Sequence, residues 1–143
     1  MRILAVDPGE KRIGLAISDP TGTIANPLYV IKHVSRKTDA ARILDICKEK
    51  NVKRIIIGQS LDEENQPTYQ GRKAARLAAV LKTMTTIPVF LWDEYESTKT
   101  ARQARIAMNS RRKKRAGHLD ELAATVILQS YLDTLAHPRN TAP

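Results

Sequence analysis

An apolar tetrad, Ile3-Leu4-Ala5-Val6, runs into Asp7, breaks over Pro8-Gly9-Glu10-Lys11-Arg12, and resumes as Ile13-Gly14-Leu15-Ala16-Ile17. An unbroken apolar run of this length reads as a strand buried on both faces, which requires layers of structure on either side of a sheet. An ionised carboxylate at the end of such a strand is costly unless a charge compensates it. Pro8 and Gly9 supply the turn, and the second apolar run is the returning antiparallel strand. A core strand that delivers a carboxylate to the sheet edge beside two basic residues points to metal and phosphate. An acid that merely caps the Asp-Pro-Gly turn is the simpler reading, and partners elsewhere in the chain must decide between the two.

The remaining elements follow from local pattern. Arg2–Val6 and Ile13–Ser18 read as a strand pair, and Thr23–Ile31 as a third strand entered through the Asp19-Pro20-Thr21-Gly22 turn. Apolar residues Ala41, Leu44 and Ile46 recur at helical spacing from about Thr38 to Lys50, with Asn51 as the stop. Arg54–Gly58 is a short buried strand. After the polar segment Gln59–Gln66, Pro67 suits the first turn of a helix running to about Thr83. Pro88–Trp92 is the next strand, and Ser97 or Thr98 caps a helix to about Met108. Asn109–Gly117 reads as a loop and Leu119–Leu135 as a final helix with apolar positions 122, 123, 126 and 127. The tail, residues 137–143, is expected to fray. Three antiparallel strands followed by two parallel ones, with helices between, predict a single α/β domain over residues 1–143: a mixed five-stranded sheet flanked by helices. Ligands of such sheets gather at the carboxyl ends of the parallel strands.

Charge narrows the partner. The formal net charge is +9, and within residues 97–119 there are eight basic side chains and no acidic one. A one-sided field of that kind favours a polyanion, nucleic acid or an anionic membrane surface. No apolar stretch approaches the length of a membrane span and no signal-peptide pattern opens the sequence, so a cytoplasmic protein is expected. Cys47 is the only cysteine. It falls on a stripe with Ile43, Leu44 and Ile46, which makes it core rather than nucleophile.

Three acids sit where chemistry would want them. Asp7 ends the first strand, Glu94 lies just past the last strand, and Asp120 opens the last helix. Mg2+ and Mn2+ take carboxylate oxygens and water, with phosphate completing the shell. Two such ions about 4 Å apart activate water and stabilise the leaving oxygen of a phosphodiester. Each acid also has a structural explanation, since carboxylates near helix N-termini are favoured by the macrodipole alone. Asp93 and Glu121 neighbour two of the proposed ligands and are substitutes for them or supports behind them.

The stretches AVDPGEKRIGLAISD, WDEYEST and HLDELAA resemble, in order and spacing, the three signature regions of the YqgF family. The resemblance extends through Tyr131. It implies an RNase H-like fold and a metal-dependent nuclease, a family described first as Holliday-junction resolvases and later as nucleases maturing the 5′ end of pre-16S ribosomal RNA. Carried over, it places the catalytic, metal-holding acids at Asp7, Glu94 and Asp120. Two departures stand out. Tyr95 replaces the arginine common before the Ser-Thr pair, and Gln59-Ser60-Leu61-Asp62 replaces Leu-Pro-Leu and its glycine turn.

The expected partner is therefore nucleic acid, pre-rRNA or branched DNA, with ribosomal particles as its setting and a monomer or homodimer as the working form. Lys11 and Arg12, in the turn after Asp7, are candidates to grip phosphate. The run Arg111-Arg112-Lys113-Lys114-Arg115 is a candidate to track the backbone. His118 is either a helix-entry histidine without a role or a proton donor to the leaving group. Trp92 reads as core, and with one Trp, four Tyr and one Phe the chain is poorly equipped for extensive base stacking. Two further classes remain for comparison. A non-catalytic nucleic-acid-binding module would select basic residues at the three acidic positions. A small-molecule kinase would need two lobes, and no phosphate-binding loop pattern is present.

Overall fold

The apolar run at the start of the chain is strand β1 (Arg2–Pro8), and it occupies the middle of the sheet. The computed structural model describes residues 1–60, 64, 66–93 and 120–136. Following β1 come β2 (Arg12–Ser18), β3 (Ala25–Lys32), α1 (Arg36–Lys50), β4 (Val52–Gln59), α2 (Tyr69–Met84), β5 (Val89–Asp93) and α3 (Asp120–Ala136). The described strands form one sheet in the order β3-β2-β1-β4-β5. β1 pairs antiparallel with β2, which pairs antiparallel with β3; β1, β4 and β5 are parallel. The expected mixed sheet of three antiparallel and two parallel strands is thus observed. The helix expected up to Met108, the loop 109–117, most of the segment 61–65 and the tail 137–143 lie outside the described residues.

The central position explains the composition of β1: Ile3, Leu4, Ala5 and Val6 are all essentially inaccessible. Alternation sends Leu4 and Val6 to one face, where they pack with Leu15, Ile55 and Ile57 against Ile43 and Cys47 of α1 and Leu77 and Leu81 of α2. Ile3 and Ala5 go to the other, with Ala16 and Ile56, against Ala124, Ile127, Leu128 and Leu132 of α3. Cys47 is core, as expected, and burial pushes its thiol up to about 12.

Several boundaries differ from the sequence reading, each for a local reason. β3 begins at Ala25 rather than Thr23, because the Asp19 carboxylate captures the N–H groups of Thr21, Thr23 and Ile24 and withholds them from the ladder. The β2–β3 register then slips between Leu15 and Ala16, beside Pro27, which has no N–H to offer. α1 starts at Arg36 because Ser35 caps it, its Oγ accepting Thr38 N–H at 3.2 Å. Asn51 ends α1 as expected, in the left-handed conformation at φ 58°. Pro67 does not open α2. Thr68 is the cap, accepting Gly71 N–H at 3.1 Å, and the helix begins at Tyr69.

α3 is shifted by one residue in phase. Ala123, Ala124, Ile127, Leu128 and Leu132 are its buried residues, whereas Leu122 and Val126 are only half-buried. Leu-Ala-Ala-Thr-Val-Ile-Leu is apolar nearly all round, so its period alone does not set which stripe faces the sheet. Gln129 contributes to the seating: its Oε1 accepts Ala25 N–H at 2.9 Å and its Nε2 donates to Thr23 O at 3.2 Å.

Candidate active site

Asp7 is the next-to-last residue of the central strand, half-buried, on the face that α3 covers. Its environment is set by the strands on either side. Across β2 its partner is Gly14. On β4, the register that pairs Val6 with Ile57 brings Gly58 level with it. The carboxylate therefore stands in a row with no side chain on either neighbouring strand. Beyond Gly58 the row ends in Trp92, two strand spacings or about 10 Å from Asp7. Gly14 and Gly58, the residues that flank the acid, were passed over by the sequence reading. The available signal was a glycine interrupting an otherwise apolar strand, which marks close approach of a ligand or another backbone.

The turn after Asp7 is tight. Gly9 N–H donates to Arg12 O at 2.9 Å, and a Cβ at Gly9 would come within 2.6 Å of that same oxygen. The hairpin consequently holds Lys11 and Arg12, both exposed, at the Asp7 end of the sheet.

α3 runs the length of the same face. Its Gln129 is fastened to Thr23 and Ala25, and Ala25 pairs with Ser18, where β2 ends beside the start of β1. That is the end of the sheet opposite Asp7. Nine residues of helix, about 13 Å, lead back from Gln129 to Asp120, so the first residue of α3 is carried toward the Asp7 end. Two of the three expected acids thus belong to elements that converge on one edge of one face. Glu94, Tyr95, the run 111–115 and His118 lie outside the described residues.

Asp93 has a different address. It pairs with Gln59, whose Cγ would stand 3.3 Å from a Cβ on Gly71 of α2. Asp93 therefore shares the α2 face with Val89, and Trp92 shares the α3 face with Asp7. Trp92 packs edge-on against Tyr131, with ring centroids 5.2 Å apart and planes at 82°, a core contact rather than a stacking platform. Tyr131 OH in turn accepts a 2.8 Å hydrogen bond from Arg54.

No group of three metal-ligating side chains occurs among the described residues. The chemistry of the donor that is described suits a hard divalent cation: a half-buried carboxylate at a strand end, flanked in its row by two buried glycines. No described helix is long and apolar enough to cross a membrane.

Comparison with known proteins agrees with this geometry. The model of the family described as RuvX: Holliday junction resolvase matches residues 1–134. A Thermoanaerobacter pseudethanolicus protein named putative pre-16S rRNA nuclease is 43% identical over 135 residues, 94% of this chain and 97% of its own. A Desulforudis audaxviator protein of the same name is 35% identical over 141 residues, covering 99% and 100% of the two chains. Among solved structures, Thermus thermophilus RuvC in complex with a Holliday junction substrate superposes with a TM-score of 0.62 at 18% identity, covering 96% of this chain and 97% of that one. The fold is RNase H-like, as the sequence resemblance implied.

Proposed function

Because the chain belongs to the RuvX: Holliday junction resolvase family, and is thus a hydrolase of phosphodiester bonds, we propose that it is a single-domain, metal-dependent, cytoplasmic nuclease that trims the 5′ end of pre-16S ribosomal RNA, free or within ribosomal particles. The observation that carries this reading is the placement of Asp7, at the carboxyl end of the central strand, beneath a row opened by Gly14 and Gly58. The RNA preference rests on what the relatives sharing 35–43% identity are named.

Asp7, Glu94 and Asp120 are the residues that would hold Mg2+ or Mn2+. When bound, a pair of such ions supplies positive charge to the phosphate being cut and lowers the pKa of the attacking water. The chain's own residues do the positioning. Gly14 and Gly58 keep the strands on either side of Asp7 from placing a side chain beside it. Lys11 and Arg12 take oxygens of an adjoining phosphate through charge-assisted hydrogen bonds. Arg111, Arg112, Lys113, Lys114 and Arg115 are the candidates to track the backbone, a contact that salt weakens.

A second reading, resolution of four-way DNA junctions, is favoured by the family description and uses the same acids. Symmetric cleavage of a junction needs two sites, hence a homodimer. One assay separates the two: purified protein with Mg2+ or Mn2+, offered precursor ribosomal RNA or a four-way DNA junction. Metal-dependent cleavage of the RNA, lost in Asp7→Asn with binding retained, is the expected result. Cleavage of the junction alone would replace the ribosomal reading, and cleavage of neither would remove the assignment of the site.

A further inference from the structure

A basic surface adjoins the Asp7 edge, built from residues other than the run 111–115. Between the hairpin and the second turn of α1 the cations are Lys11, Arg12, Lys32, Arg36, Lys37 and Arg42. The fold gathers them at one end of the sheet. Arg12 is the cross-strand partner of Lys32, and His33 N–H donates to Lys11 O at 2.9 Å. Arg42 Nη1 reaches back to Lys32 O at 3.0 Å, tying α1 to the end of β3. The Ser35 cap makes Arg36 and Lys37 the first two residues of α1.

Three acids fall in this stretch of sequence, Glu10, Asp19 and Asp39, and Asp19 sits in the β2–β3 turn at the opposite end of the sheet. Asp39 is turned inward: it is 1% exposed, accepts Val34 N–H at 3.0 Å and is bonded to His33 Nδ1. Lys32, Arg36 and Lys37 are exposed, and among the described residues their side chains make no hydrogen bond or ion pair. Arg36 and Lys37 also oppose the dipole of the helix they open, where acids would stabilise it. Asp39 is the acid of that first turn, and it is directed inward to Val34 N–H and His33 rather than to these two cations.

We propose that Lys32, Arg36 and Lys37, continuous with Lys11 and Arg12, bind the phosphate backbone of the nucleic-acid segment that flanks the cleaved one. The inference rests on the nuclease reading and extends its footprint. β3 stands two strand spacings, about 10 Å, from β1. With one phosphate per 3.4 Å of helix axis on each strand, the surface begins about three phosphates from the one over Asp7. It extends the contact away from β4 and β5, across the end of β3 to α1, so the substrate must continue as duplex or structured strand on that side.

The test is equilibrium binding without divalent metal, so that cleavage does not enter. Fluorescence anisotropy would follow a labelled RNA hairpin and a labelled four-way DNA junction between about 50 and 200 mM salt. Lys32→Gln/Arg36→Gln/Lys37→Gln is compared with Lys48→Gln/Lys50→Gln/Lys53→Gln, which removes the same charge at the opposite end of the sheet; melting curves confirm that both fold. The expected result is at least tenfold weaker binding for the first triple. Its log–log salt slope should be smaller by about 2 to 3, at 0.7 to 0.9 per lost phosphate contact, with the slope of the second triple unchanged. Unchanged binding by the first triple, while wild-type protein binds, overturns the surface and leaves the nuclease reading intact. Equal losses in both triples also overturn it, reducing the effect to net charge. Failure of wild-type protein to bind either probe brings down the nuclease reading itself.

Discussion

Leu81 and Leu128 are both fully buried leucines, one in α2 and one in α3, on opposite faces of the sheet. Truncating either to alanine removes the same three carbons from a closed core, and Leu→Ala at such sites costs about 3 kcal/mol, within a range of roughly 2–5. At about 2.1 cal/mol/K per residue, unfolding 143 residues carries an entropy near 0.3 kcal/mol/K, so each variant should melt about 10 °C lower. Their effects on cleavage should differ. Leu128 seats the helix that opens with Asp120, whereas Leu81 supports the face away from Asp7. A misplacement of about 1 Å at a reacting group costs on the order of a hundredfold. Leu128→Ala should therefore lose tens of fold in single-turnover rate at a temperature where urea titration shows both proteins folded, and Leu81→Ala should stay within about twofold to threefold of wild type. Equal rates for the two variants at equal destabilisation would refute the idea that the seating of α3 sets the geometry of the site.

Three further outcomes are expected. Mg2+ or Mn2+ should stabilise the protein by about 2.7 kcal/mol at a hundredfold excess over Kd, read as a rise in melting temperature, and Asp7→Asn, Glu94→Gln or Asp120→Asn should each abolish that rise together with cleavage; a full metal-induced rise in any of them reassigns that ligand. Asp19 accepts the N–H of Ile24, the hydroxyl of Thr21 and the N–H groups of Thr23 and Thr21, which hold its carboxyl well below the usual range. Because the folded pKa is the depressed one, its stabilisation is complete above about pH 4 and fades as pH falls further, so Asp19→Asn should flatten the acid side of a melting-temperature profile, and an unaltered profile would count against the turn network. Cys47 should resist alkylation at neutral pH in the folded protein and react on unfolding, since its thiol is pushed up to about 12 by burial; prompt labelling of the native protein would contradict its place on the buried face of α1.

The features legible in the sequence were those with local causes. Four apolar residues ending in Asp7, the Pro-Gly turn, the returning strand and Asn51 as a helix stop each depend on a few neighbouring residues, and the structure contains all of them. Even the prediction of a mixed sheet needed only the order of strand and helix patterns. What tertiary structure decided was nonlocal. The phase of α3 depends on which stripe of an almost wholly apolar helix meets Ala5, Ala16 and Ile56, and periodicity does not distinguish the stripes. The row that clears Asp7 is made of Gly14 and Gly58, brought level by register between strands that are 44 residues apart in the chain. A one-residue slip in either pairing would have sent those glycines to the other face. The same holds for the basic surface: Lys11, Lys32 and Arg36 are separate in sequence, and only the pairing of β2 with β3 and the cap on α1 bring them to one edge. Local chemistry wrote the acid at the strand end; burial on both faces of a twisted sheet chose what stands beside it.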